Sequence, residues 1–374
     1  MSGGAGLYIH IPFCASKCAY CDFCSAPADD GVKRAYVDAL IAEIRDSAER
    51  FGGCADTVYI GGGTPSCMPR GVIKRISDAV FSCFGNNIAE FTAEANPESF
   101  TEEKADEYAA AGITRVSLGV QSTDEGILRF LGRAHDLAQA EKAAREASSR
   151  FSLNLDCMLG LPGQNASSAA EFTDFAASCG AEHISAYILK TEEGTPLAGR
   201  IARGLKLPDE AESADMYEAF FAAARKRGFR RYETSNFAIP GAECRHNLKY
   251  WRMDDYIGVG PSAHGKIGML RYYVPSDIKR YIERADKGVF VRENEEILTP
   301  ESAFDEYVMT GLRLDEGVDI AEGERRFGSS FEDRYGENVR KCSRYVCAEN
   351  GFLRIRPQYA LVANAVILKI IPQI

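Results

Sequence analysis

The chain has 374 residues, 45% of them hydrophobic and 26% charged, which is enough apolar material for a sizeable core in two domains or in one large domain with an appendage. Acidic residues outnumber basic ones, 54 to 44, for a formal net charge of -10; this argues against nucleic acid as a partner, because such binding needs basic surface. No apolar run approaches the roughly 20 residues that cross a bilayer, no charged-then-apolar leader opens the chain, and twelve cysteines imply a reducing compartment, so a cytoplasmic location is expected.

Residues 7–11 alternate as a strand and run into a loop in which Cys14, Cys18 and Cys21 stand in C-x3-C-x2-C spacing, with Tyr20 just before the last of them. A cubane 4Fe-4S cluster has four irons to ligate, so three thiolates from one loop leave one iron open, as open catalytic metal sites do. A structural zinc site that adds Cys24 is the alternative. It lacks the second cysteine or histidine pair that such sites draw from another loop. The remaining cysteines, such as Cys54, Cys83, Cys157, Cys179, Cys342 and Cys347, read as buried small hydrophobes.

Beyond this loop, helical and strand periodicities alternate. Helices are predicted over 32–51, 70–84, 102–111, 136–149, 167–179 and 209–227, and strands over 56–60, 90–95, 115–120, 153–158 and 183–189. With the first strand, this makes a parallel sheet covered by helices. Six strand-helix units are too few for a closed eight-stranded barrel, so the expected fold is α/β, a partial (β/α)6 barrel of TIM type. Chemistry in such barrels gathers at the C-terminal ends of the strands. Those ends carry the cysteine loop, then Gly61, Gly62, Gly63 and Thr64, then Glu94 and Asn96, then Gln121, Asp156 and Tyr187.

The expected domains are the barrel over 1–228, a glycine- and aromatic-rich segment packed on it over 229–290, and a small α+β accessory domain over 291–374. The middle segment carries His246-Asn247-x-x-Tyr250-Trp251; its GVGPSAHG stretch (258–265) reads as a glycine-rich loop at the barrel rim. In the last domain, helices are predicted over 300–312, 321–327 and 331–350 and a strand over 352–356, with a tail over 359–371 that is helix or strand.

The C-x3-C-x2-C spacing with Tyr20 before its last cysteine resembles the radical S-adenosylmethionine (SAM) superfamily, and the motifs IHIPFC, GGGTPS, EANPES, GVQS, LGRAH, LGLPGQ, AYILKTEEGTPL and SNFA, in this order between residues 7 and 265, narrow the resemblance. Within it the chain is similar to the oxygen-independent coproporphyrinogen III oxidase group. The resemblance implies a 4Fe-4S cluster on Cys14, Cys18 and Cys21 whose open iron chelates SAM. It also implies a SAM site of Tyr8, Tyr20, Gly61, Gly62, Gly63, Thr64, Glu94, Gln121, Arg133 and Asp156. The glycines would meet the amino-acid end of SAM, Glu94 its polar end, and the Arg133 fork its carboxylate; Tyr8 would lie beside the cluster.

That group has two branches, a radical SAM decarboxylase of haem synthesis and a haem chaperone. Phe23 stands where the oxidase carries a further cysteine, thirteen residues precede Cys14 where the oxidase has a longer segment, and the HNxxYW stretch matches the chaperone's haem-associated signature. The resemblance therefore implies haem near His246, with an exposed imidazole as axial ligand and Tyr250 and Trp251 over a porphyrin face. A histidine capping a turn beside packed aromatics is the alternative for that stretch. The implied partners are haem, acceptor haemoproteins (some of them membrane-associated), an electron donor such as flavodoxin or ferredoxin, and a second copy of the chain. The rival activity is oxidative decarboxylation of coproporphyrinogen III.

Overall fold

A computed structural model describes residues 4–371. Strands and helices alternate as β1 (Ala5–Ile11), α1 (Asp30–Phe51), β2 (Ala55–Gly62), α2 (Val72–Phe84), β3 (Glu90–Ala95), α3 (Glu102–Ala110), β4 (Arg115–Gln121), α4 (Glu125–Leu131), α5 (Leu137–Ser148), β5 (Ser152–Leu159), α6 (Ala166–Ser178) and β6 (His183–Ile188). The six strands pair in sequence order, all parallel, which is the expected partial barrel. Short polar side chains start its helices: Asp29 accepts from the Val32 amide, Thr101 from Lys104, and Asp136 closes a capping box with Gln139, each satisfying amides that the first turn leaves free.

Alternation along each strand sorts its side chains between two environments. The outward residues Leu7, Ile9, Ile11, Val58, Ile60, Val116, Leu118, Leu153 and Leu155 are all fully buried beneath the helical layer. There α1 applies Tyr36, Val37, Leu40, Ile41 and Ile44 from one face. Each such side chain contributes about 1.5–3 kcal/mol of burial. The inward residues are polar, and the register stacks them in rungs: Tyr59 beside Thr92 beside Arg115, and Glu94 beside Ser117 beside Asn154 beside His183. A closed TIM barrel packs its interior with branched aliphatics. This barrel keeps a polar well instead.

The chain continues through α7 (Pro196–Ala202), α8 (Glu210–Lys226), β7 (Arg230–Arg231), β8 (Asn236–Ala238), α9 (Arg245–Trp251), β9 (Tyr256–Val259), β10 (His264–Ile267), β11 (Leu270–Tyr273), α10 (Ile278–Ala285) and β12 (Glu293–Ile297). β8 and β7 extend the sheet beyond β6, while β9 joins β1 in parallel and β10 to β12 follow, giving one twelve-stranded sheet. The segment over 229–290 thus supplies strands of the barrel's own sheet, which runs to Ile297. Residues 258–265, expected as a rim loop, are the end of β9, a turn, and the start of β10. Glycines had hidden the alternation there, because they add nothing to a hydrophobic pattern.

The accessory part consists of α11 (Pro300–Gly311), β13 (Val318–Asp319), α12 (Ile320–Phe327), α13 (Phe331–Lys341), β14 (Val346–Glu349), β15 (Phe352–Ile355) and α14 (Ala363–Ile370). It has its own core around Phe304, Val308, Phe331, Tyr335, Leu353 and Ile367. The helix predicted over 331–350 stops at Lys341, and its second half is β14. Glu349 pairs with Phe352 across Asn350 and Gly351, both at positive φ, the two-residue hairpin that an Asn-Gly pair favours.

Candidate functional site: a cysteine loop over a polar well

The cysteine loop leaves the C-terminal end of β1 and is tied down from several sides. The Ala19 amide donates to the Leu131 carbonyl at 3.1 Å, and the Ala19 carbonyl accepts from the Leu197 amide at 2.9 Å. His10 Nε2 donates to the Cys24 carbonyl at 3.0 Å. Since a carbonyl can only accept, His10 Nδ1 is left as the acceptor for the Tyr8 hydroxyl 3.1 Å away. Tyr8 therefore supports the loop from below, through His10, and does not line the cavity.

The glycine stretch after β2 serves the same loop. Gly63 and Thr64 amides donate to the Ile11 and Phe13 carbonyls at 2.8 and 2.7 Å, and the Gly62 amide, at φ 108, donates to Glu94 Oε2 at 2.9 Å. A Cβ on Gly63 would lie 2.5 Å from the Phe13 carbonyl oxygen, and one on Gly61 2.8 Å from the Glu94 carboxylate. Gly62 and Gly63 border the well, but their amides are engaged within the protein rather than held open for a ligand.

Cys14 and Cys18 are joined by a side-chain relay across three strand ends. Thr64 Oγ1 donates to Cys14 Sγ at 3.3 Å and accepts from Asn96 Nδ2 at 3.1 Å. Asn96 Oδ1 accepts from Arg133 Nη2 at 2.8 Å, and Arg133 Nη1 donates to Cys18 Sγ at 3.4 Å. Hydrogen bonds to ligand sulfur are a recognised control on cluster potential. Arg133 Nε is buried with no partner. Gln121 sits nearby at φ 73, at a bulge in β4, a backbone strain of the kind that collects at functional sites.

Below the loop, the well is a cavity of about 500 Å³ bordered by Cys14, Cys18, Tyr20, Cys21, Gln121 and Tyr187 at the top, a size suited to a small-molecule ligand. Glu94 accepts from the Tyr59 hydroxyl at 2.9 Å, and Asp156 from Asn154 at 2.7 Å and Ser117 at 3.2 Å. Burial, and then the charge of Asp156, push the Glu94 carboxyl up to about 7; burial likewise pushes Asp156 up to about 6. A cation in the well would restore both charges.

These residues fit the groups expected of them. SAM would bring an ammonium and a sulfonium to the carboxyls of Glu94 and Asp156, and a carboxylate to Arg133, whose Nε has no partner among the described residues. Among the described residues, no group of three or more His, Cys, Asp or Glu side chains is gathered closely enough for a single metal ion, as mononuclear zinc would need. A cubane spreads its thiolates over separate irons and has no such need. Cys24 Sγ donates to the Ser276 carbonyl at 3.6 Å, apart from the triad.

His246 lies at the opposite end of the barrel. α9 closes the floor, its start held by Glu90, whose carboxylate accepts from the Arg245 and His246 amides at 2.9 and 3.0 Å. The imidazole is 1% exposed; its Nδ1 bonds Thr57 Oγ1 at 3.0 Å and its Nε2 the Tyr250 hydroxyl at 2.8 Å. Burial, aided by Lys249, lowers its pKa to about 3. The exposed imidazole expected from the sequence is thus corrected: both ring nitrogens are occupied. Tyr250 packs edge-on against Tyr256, centroids 4.7 Å apart, whereas Trp251 turns toward the accessory part, with the Arg313 guanidinium 5.8 Å over its ring. The two rings do not share a face. Thr92, Arg115, Ser117, Asn154 and His183 also face the well, earlier in their strands and at the same parity as the strand-end residues Glu94, Gln121, Asp156 and Tyr187; that parity is their one signal in the sequence.

Residues 8–176 match the Radical SAM superfamily and residues 298–361 the HemN C-terminal domain. The chain is 34% identical to the protein named Heme chaperone HemW of Lactococcus lactis, covering 89% of this chain and 87% of that one. It is 38% identical to HemW of Mycobacterium tuberculosis, covering 88% and 85%, and 40% identical to HemW of Escherichia coli, covering 70% of each. The solved coproporphyrinogen III oxidase (HemN) of Escherichia coli superposes with a TM-score of 0.85 over 99% of this chain and 90% of that one, at 22% identity, which establishes the shared fold. With the cysteine loop, the polar well and the accessory domain in place, the chain belongs to the radical SAM superfamily and, within it, to the HemW family of haem chaperones.

Proposed function

We propose that the chain binds haem and hands it to acceptor haemoproteins, with a 4Fe-4S cluster on Cys14, Cys18 and Cys21 and SAM in the well beneath. The observation that carries this reading is 34–38% identity to HemW proteins across nearly nine tenths of the chain. When bound, the cluster would supply one-electron chemistry at the iron that three-thiolate ligation leaves open. Thr64 and Arg133 would orient Cys14 and Cys18. Glu94 and Asp156 would take the cationic groups of SAM, Arg133 its carboxylate, with Tyr20, Gln121, Gly62 and Gly63 bordering it and Gly61 and Tyr8 supporting from outside the cavity.

The reading includes a cytoplasmic place, a flavodoxin or ferredoxin as electron donor, and a homodimer. No helix among the described residues is long and apolar enough to cross a membrane. Haem ligation by His246, with Tyr250 and Trp251, requires α9 to leave the barrel floor, since both imidazole nitrogens are bonded in the folded state. The test is haem titration of the anaerobically reconstituted protein beside an assay of coproporphyrinogen III consumption. Saturable haem binding with negligible consumption is expected; rapid decarboxylation with no haem bound would transfer the assignment to the oxidase.

A further inference from the structure

The well extends past the residues that suit SAM, down to Thr92, Arg115, Cys244 and Asn247 at the barrel floor. Arg115 is only 4% exposed, yet among the described residues its guanidinium makes one hydrogen bond, from Nη1 to the Ala242 carbonyl at 3.1 Å. Among the described residues it makes no ion pair. A buried charge without a partner costs several kcal/mol. Its guanidinium is therefore short of an anion.

Glu90, a candidate counter-charge within the chain, is already used. Glu90 gives both carboxylate oxygens to α9, accepting from the Arg245 and His246 amides and from Cys244 Sγ at 3.3 Å. Glu94 and Asp156 also border the cavity, and they are held by Tyr59 and Gly62 and by Asn154 and Ser117. Beside Arg115, in register on the neighbouring strand, Thr92 is fully buried and its hydroxyl has no partner. Asn247 brings an amide from α9 to the same space. All three groups can donate, and an arginine fork matches the two oxygens of a carboxylate or phosphate.

We propose that the floor of the well is a subsite for a small oxyanion, a carboxylate or a phosphate, held by Arg115 with Thr92 and Asn247. It is separate from the position expected for the SAM carboxylate, because Arg133 stands at the other end of the cavity beside the cysteine loop. Anion and SAM would occupy one well in two layers.

Calorimetric titration of the reconstituted full chain with sodium acetate and, separately, inorganic phosphate, at constant ionic strength, tests this with and without saturating SAM. One equivalent of at least one anion should bind, and binding should persist with SAM present. Arg115→Gln should weaken it by about tenfold or more, the loss expected for a charge-assisted bond, and Thr92→Val by several-fold. Binding of acetate alone would identify a carboxylate ligand; binding of phosphate alone, a phosphate. Absence of binding by either anion, displacement by SAM, or affinity unchanged in both variants would overturn the proposal. Failure of wild type to bind SAM would instead count against the SAM site itself, so the two readings fail separately.

Discussion

Glu94 and Asp156 are carboxyls raised by burial, to about 7 and about 6, and both have pH consequences. A cationic ligand binds their ionised forms, so SAM affinity should rise with pH through this window, and Glu94→Gln should flatten the upper part of the profile in calorimetry. The apoprotein should behave inversely. The folded state holds the Glu94 proton more tightly than an unfolded chain with the ordinary value of 4.5, so this group's contribution is fully present below 4.5 and is lost as pH rises through about 7. Chemical denaturation of wild type and Glu94→Gln across that range reads the difference. At the floor, His246→Ala removes a buried ring and strands the Thr57 and Tyr250 hydroxyls, which should cost roughly 2–4 kcal/mol of stability. A variant as stable as wild type would mean that the imidazole does not hold the floor.

The ends of β2 and β3, with the turn after α4, supply the relay from Cys14 through Thr64, Asn96 and Arg133 to Cys18. Asn96→Ala should therefore shift the cluster midpoint potential to more negative values, since hydrogen bonds to thiolate favour the more negatively charged reduced state. Asn96→Asp, which removes the donor to Thr64 and adds a negative charge, should shift it the same way. An unshifted potential in both would break the link. Gly63→Ala should lose most of the bound iron, because its Cβ would meet the Phe13 carbonyl 2.5 Å away and push the loop off β2; iron analysis after reconstitution measures this. At this scale the sequence was readable wherever apolar periodicity was strong, as in α1 or in β1 to β6. It was opaque where glycine thinned the pattern, as at Gly258 and Gly260 around β9, and where a turn interrupted a helix-like run, as at Asn350-Gly351.

The whole molecule places its chemistry at one end of a partial barrel and seals the other with the very stretch that sequence reading singled out for haem. Glu94 and Asp156 are legible in the sequence because strand ends converge in any such barrel, and Cys14, Cys18 and Cys21 from their spacing; Arg133, in the turn after α4, is reached only through the family resemblance. The role of His246 is not legible there, since HNxxYW has the same spacing whether its imidazole is open or locked between Thr57 and Tyr250, and only the placement of α9 under β1 and β2 distinguishes these. Residue parity inside the strands would have exposed the polar well, had it been followed inward from Glu94 to Thr92 and from Asp156 to Asn154. The central claim, a haem carrier on a radical SAM scaffold, is tested most directly by loading the anaerobically reconstituted chain with haem, mixing it with an apo-haemoprotein, and following the Soret band of the acceptor. The account predicts that the acceptor gains haem faster than it does from a non-specific haem-binding protein; no haem retained by the chain, or no transfer from it, with coproporphyrinogen III consumed instead, would contradict it.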